Sequence, residues 1–245
     1  SYTDVGDLHD LLGKGGFDVC VLQPRRSILP VEALALLKSK ARHMIVEGRQ
    51  LELLDVDVIV RNRAKSVAMA LLHLRELGHE RIGLVTERLD AAAGYGEIEN
   101  LYAQSLASLL DQPEPLILRV SGEPTKATVA EEINASVTEE LKGRATSPSA
   151  FVVSGRFAAS DIREGFAMSG LDIPRDVSVV HLRAHETASI QGDGMTTVGR
   201  SAVHVANGIV DIVNWRLANP TEPAGLILDD PTLVKGDSSS VNEAN

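Results

Sequence analysis

The sequence predicts an α/β protein with two doubly wound parallel-sheet lobes joined by crossovers, on three observations. Short apolar runs alternate with amphipathic segments along nearly all 245 residues. Runs such as FDVCVL, RIGLV and AFVV are apolar at successive positions rather than alternate ones, as in parallel strands covered on both faces. The rhythm breaks at RNRAKS near residue 62 and at TASIQGDGMTT between 186 and 200, as in a chain that leaves one lobe, completes another and returns.

The elements follow in order. DVGDLHDLLGK reads as a short helix closed by Gly15 and Gly16, and FDVCVLQP as a buried strand. PVEALALLKSK opens on Pro30, a residue suited to a first helical turn, and HMIVEG and VDVIV are strands. NRAKSVAMALLHLRELG places Val67, Ala70, Leu71 and Leu74 on one face, with Gly78 at its end. RIGLVT is a strand, 97–110 a helix, PLILRV a strand and 125–142 a helix. AFVVS, the helix RFAASDIREGFAMSG and the strand VSVVHL repeat the rhythm. MTTVG, the helix RSAVHVANGIVDIVNWRLANP, GLILD and PTLVKG complete it. The expected division is 1–61 with 198–222 in one lobe and 62–197 with 223–237 in the other. DSSSVNEAN has too little apolar content to pack, and 238–245 reads as a frayed tail.

Composition narrows the function. A net charge of −10 argues against this portion gripping nucleic acid by itself, because phosphate binding needs a basic face. The single cysteine, Cys20, cannot form an internal disulfide and reads as a small buried strand residue. No apolar run approaches the roughly 20 residues of a membrane helix. No signal peptide precedes the first helix, so the expected compartment is the cytoplasm, although a processed exported protein would look similar.

Enzyme motifs fail one by one. A Gly-x-x-x-x-Gly-Lys-Ser/Thr loop, a Gly-x-Ser-x-Gly elbow and a His-Glu-x-x-His pair are all absent, and GYGEIEN at 94 lacks the third glycine of a dinucleotide fingerprint. His181, His185 and Glu186 in HLRAHE could supply metal ligands, but Arg183 between them opposes a dication, and scattered surface histidines are the better reading. His79 in ELGHERIG reads as closing a helix end on its last carbonyls rather than as a base. No catalytic, metal or cofactor site is expected.

Three stretches together resemble the effector-binding domain of lac-repressor-like (LacI/GalR family) transcription regulators. They are VDVIVRNRAKSVAMALLHLRELGHERIGLV, then SAFVVSGRFAASDIREGFAMSGLDIPRDVSVVHL, then MTTVGRSAVHVANGIVDIV with PTLVKGDS. Order and spacing agree from about residue 16 onward. The resemblance implies a periplasmic-binding-protein-like fold with a small-molecule effector held between two lobes. It implies a homodimer in which the 157–168 helix and the stretch before Thr196 meet their symmetry mates. It also implies operator DNA bound through an N-terminal helix-turn-helix. That module and the family's first strand, first helix and second strand have no counterpart here, and truncation is the expected reason. A solute-binding protein of a transport system is the alternative with the same fold.

At the positions that the resemblance assigns to the effector, this chain departs from the pattern. Arg183 stands where the family has the first aspartate of its Asp-Asp pair, Gly155 and Arg156 where it has Asn-Asp, and Ile98 near its ligand-binding arginine. Glu47 falls near a cleft aspartate, and Tyr95 on a loop facing the other lobe. Two guanidiniums in place of acids offer forks for carboxylate or phosphate oxygens, so an anionic effector is the sharper expectation. Its rivals are arginines paired by Glu186, Asp161 or another acid with no ligand at all, and an ordinary neutral ligand.

Overall fold

The computed structural model describes residues 15–23, 31–48, 55–88, 96–110, 114–121, 127–142, 147–183 and 193–242. In chain order its elements are β1 (Phe17–Leu22), α1 (Val31–Lys40), β2 (Ala41–Glu47), β3 (Asp57–Arg61), α2 (Arg63–Glu76), β4 (Ile82–Arg88) and α3 (Gly96–Leu109). Then come β5 (Ile117–Ser121), α4 (Val129–Leu141), β6 (Ala150–Ser154), α5 (Ala159–Met168) and β7 (Ser178–Leu182). β8 (Thr196–Gly199), α6 (Ala202–Ala218), β9 (Leu226–Asp229) and β10 (Thr232–Val234) complete the order. The predicted helix over residues 4–14 lies outside the described residues. The chain forms two compact units, Ser1–Asn62 with Val203–Asp229 and Arg63–Ala202 with Asp230–Asn245.

The first unit holds a sheet in the order β1-β2-β3-β9, with parallel pairing throughout. Because successive strand residues face opposite sides, its apolar runs feed two cores. Met44, Val46 and Val58 pack on Leu37 of α1. Ile45 and Ile59 pack on Ile212 of α6. A buried ion pair fixes the return from α6: Arg216 Nε and Nη2 donate to the two Asp57 oxygens, each at 2.6 Å. Arg216 Nη1 also donates to the Glu222 carbonyl at 2.6 Å, and Gly225 N–H to Asp57 at 3.0 Å, so the pair is fully hydrogen-bonded where it is dry. Residues 223–237, expected from the sequence to lie together in the second lobe, are instead divided between the two sheets. The ladder of β9 on β3 draws 226–229 into the first sheet, while β10 pairs with β8 in the second.

The second unit holds six strands in the order β10-β8-β7-β6-β4-β5, parallel except for β10. Val85, Val153 and Val179 face α4 and α5, whose Ile133, Ile162 and Phe166 are sealed. Leu84, Val152 and Val180 face α2 and α3, with Leu71, Tyr102 and Leu106. Gly165 brings α5 hard against α4, since a Cβ there would stand 2.7 Å from that of Ile133. The Thr128–Glu131 capping box starts α4.

At Gly78 (φ +86°) α2 ends in a Schellman turn, with Gly78 N–H on Arg75 O at 2.9 Å and His79 N–H on Leu74 O at 3.0 Å. The His79 ring, expected on the last helix carbonyls, instead reaches Ser149 Oγ (2.8 Å) and the Ser240 carbonyl (3.1 Å), because the backbone N–H already serves the helix. The expected frayed tail is docked as far as Asn242. Ser238 Oγ donates to Val179 O at 2.6 Å and accepts from Thr196 N at 2.8 Å, and Asn242 N–H donates to Leu77 O at 2.8 Å. Polar side chains anchor this segment by serving strand-end backbone groups, which needs no apolar content.

Candidate functional site

In the second sheet β4 leads to β5 on one side and β6 leads to β7 on the other, so the strand order reverses between β4 and β6. The carboxyl ends of two such strands splay their loops apart and open a crevice, the general ligand position of open α/β sheets. Thr86 pairs with Ser154 in the ladder, which sets Glu87 beside Gly155. β7 adjoins β6, with Ser154 opposite Leu182, and this carries His181 and Arg183 to the same rim.

Charges at the rim are matched. Arg156 straddles the reversal, donating to Glu87 Oε1 from Nη2 at 2.7 Å and from Nε at 3.2 Å, while its backbone N–H meets Oε2 at 3.3 Å. The Glu87 side chain is 5% exposed and that of Arg156 51%, so the acid is the buried partner and the guanidinium its cover. Arg183 Nη2 forms an ion pair with Asp193 Oδ2. Burial alone would raise the Asp193 carboxyl; the Met195 N–H and the Arg183 guanidinium hold it below the ordinary carboxylate range. The expected excess of positive charge is thus corrected: each guanidinium has a carboxylate of its own. Neither acid is one that the sequence reading named for the pairing.

His181 is fully buried beneath this rim. Its Nε2 lies 3.2 Å from the Gly155 carbonyl. Burial pushes the imidazole down to about 4, so the ring is neutral at physiological pH. The Nδ1 of His181 and the Nε of Arg183 are both sealed from solvent and have no hydrogen-bond partner among the described residues. Gly155 is required for packing, since a Cβ there would run into the Phe157 ring.

Of the six residues expected to meet the effector, Gly155, Arg156 and Arg183 come together here. Ile98 packs against the α2–α3 core instead, as an apolar residue on the inner face of α3 should. Glu47 ends β2 in the first unit, half-buried, with Gln23 Nε2 3.5 Å from its Oε2. Tyr95 lies outside the described residues, as do His185 and Glu186. Sequence reasoning missed Glu87, although a charge closing the apolar run RIGLVT was a signal, and Asp193, which had none. Among the described residues no three His, Cys, Asp or Glu side chains gather as a metal site, and no helix is long and apolar enough to cross a membrane.

In this doubly wound α/β protein, charged and orphaned polar groups stand at the strand-order reversal, where open α/β sheets hold ligands. The chain is a member of the periplasmic binding protein-like domain family, which matches residues 71–239. No curated protein sequence matches it. Its solved structural neighbours are mainly LacI-family transcriptional regulators. One from a Rhodococcus species is 21% identical at TM-score 0.68, over 91% of this chain and 78% of that one. One from Mycobacterium smegmatis is 19% identical at TM-score 0.65, over 97% and 84%. One from Enterococcus faecium, with bound ribose, is 17% identical at TM-score 0.65, over 92% and 81%. These likenesses show a shared fold.

Proposed function

We propose that this chain is the effector-sensing and dimerisation part of a cytoplasmic bacterial transcriptional regulator, and not an enzyme. Operator DNA would be contacted by a separate helix-turn-helix module, which accords with a net charge of −10 on this part. The observation that carries the reading is the polar rim at the reversal of the second sheet, in a family member whose solved neighbours are mainly regulators. Effector would bind one conformation better than another and so shift the population that engages the operator.

The ion pairs bear on the effector's charge. Glu87 and Asp193 are paired with Arg156 and Arg183, so neither of these two guanidiniums is left over for a carboxylate or phosphate. This favours a neutral, hydroxyl-bearing effector over the anion that the arginines alone suggest, in line with the ribose bound in two structural neighbours. Calorimetric titration with D-ribose, D-xylose and D-glucose, and separately with citrate and glucose 6-phosphate, tests it. Binding of a sugar is the expected result; binding of the anions alone restores the anionic effector, and silence throughout removes the effector reading. Homodimerisation through α5, whose Met168 is 50% exposed, predicts a dimer in sedimentation that Met168→Glu weakens.

A further inference from the structure

We propose that His181 Nδ1 and Arg183 Nε–H together hold one hydroxyl group, the ring nitrogen accepting its proton and the guanidinium N–H donating to its oxygen. The inference deepens the effector-sensing reading and rests on it for one of the two sources of that hydroxyl.

Leaving a buried polar atom unpaired forfeits its hydration with nothing in return, so two orphans two residues apart in one chain segment call for an occupant. Their chemistry defines it. A carbonyl oxygen only accepts, so His181 Nε2, facing the Gly155 carbonyl, must carry the ring proton. The neutral ring therefore presents a lone pair at Nδ1. Arg183 is the opposite, a donor at Nε whose Nη2 is already committed to Asp193. Arg183 N–H extends the ladder of β7 on β8 by donating to Val198 O at 3.1 Å. His181 and Arg183, two residues apart, therefore lie on one face of the extended segment, with Asp193 paired to the guanidinium.

A cation at Nδ1 would be repelled by the adjacent guanidinium, and a carboxylate would set its own lone pairs against that of the ring. A hydroxyl carries a donor and an acceptor on one oxygen and satisfies both groups at once. It is supplied by an alcohol of the effector or by a bound water.

A long-range proton–nitrogen spectrum of the 15N-labelled 245-residue protein reads the ring directly. The expected result is a neutral ring with the proton on Nε2 and with Nδ1 shifted as a hydrogen-bond acceptor. A water in the subsite gives cross-relaxation to the Arg183 Nε–H that persists when D-ribose, D-xylose or D-glucose is added. An effector alcohol removes that signal, and His181→Phe then binds the sugar about tenfold more weakly, while the analogue lacking that hydroxyl binds both forms alike. Either result supports the subsite. A proton on Nδ1, a bare Nδ1, or nitrogen–nitrogen coupling showing that Arg183 Nε–H bonds the ring directly overturns it. If no sugar binds but the water signal is present, the effector reading fails and the subsite stands.

Discussion

The two ends of the six-stranded sheet treat buried histidines in opposite ways. At the amino-terminal end both nitrogens of His79 are spent, one on Ser149 and one on the Ser240 carbonyl, and nearby His73 Nε2 meets Ser239 Oγ at 3.0 Å. At the carboxyl-terminal end His181 is as deeply buried, yet only one of its nitrogens has a partner among the described residues. A polar network with every valence filled fastens structure, whereas one left open at the rim where such sheets bind ligands keeps capacity for another molecule. The difference also predicts how the ends respond to damage: the closed end in stability, the open end in binding.

The largest expected effect breaks the closed end. Deleting residues 238–245 removes the hydrogen bonds of four anchoring residues, Ser238, Ser239, Ser240 and Asn242. Counting only one bond of about 1 kcal/mol for each, the loss is at least roughly 4 kcal/mol and Tm falls by about 10 °C or more. An unchanged melting curve would mean that the segment fastens nothing.

Acid is the next test. The folded state holds His181 neutral, with its imidazole near 4 against an ordinary 6.5, so its contribution is complete above pH 6.5 and is lost as pH falls toward 4. The gap is worth roughly 3 kcal/mol. His73 and His79, lowered chiefly by burial, slope the same way. The difference between the parent and His181→Phe in denaturant titrations at pH 7 and pH 4.5 isolates His181. Equal slopes would place that ring in water.

His79→Leu should cost about 2 kcal/mol, because it strands Ser149 Oγ and leaves the Ser240 carbonyl only the 3.3 Å bond from Ser178 Oγ, and urea unfolding measures it. Arg156→Ala should cost about 1 kcal/mol, reduced because half of Arg156 already lies in water, and Glu87→Met in the same chain should recover it. Recovery that fails would show that Glu87 has another buried partner to satisfy.

The strands and helices were legible because their signals are local. FDVCVL, HMIVE and AFVVS each announce a strand within a few residues, and GF in REGFAMSG gives α5 its close face on α4. β1, expected to be buried, is however an edge strand, with Phe17 48% exposed and Cys20 only half-buried. The docked tail was illegible for the reverse reason. DSSSVN carries no apolar periodicity, and its serines act on backbone groups more than 40 residues away. The rim was half legible: Arg156 and Arg183 stood out as cations, but Glu87 precedes Arg156 by 69 residues, and only the insertion of β6 beside β4 brings them together.

Periodicity of apolar residues therefore decided, without any structure, that this chain builds parallel sheets covered by helices, since a buried face repeats every two or 3.6 residues along the chain itself. Which carboxylate meets which guanidinium, and which imidazole nitrogen stays open, was decided only by tertiary structure. Electrostatic and hydrogen-bond partners are chosen through space at about 3 Å, and strand order, not chain order, sets those distances.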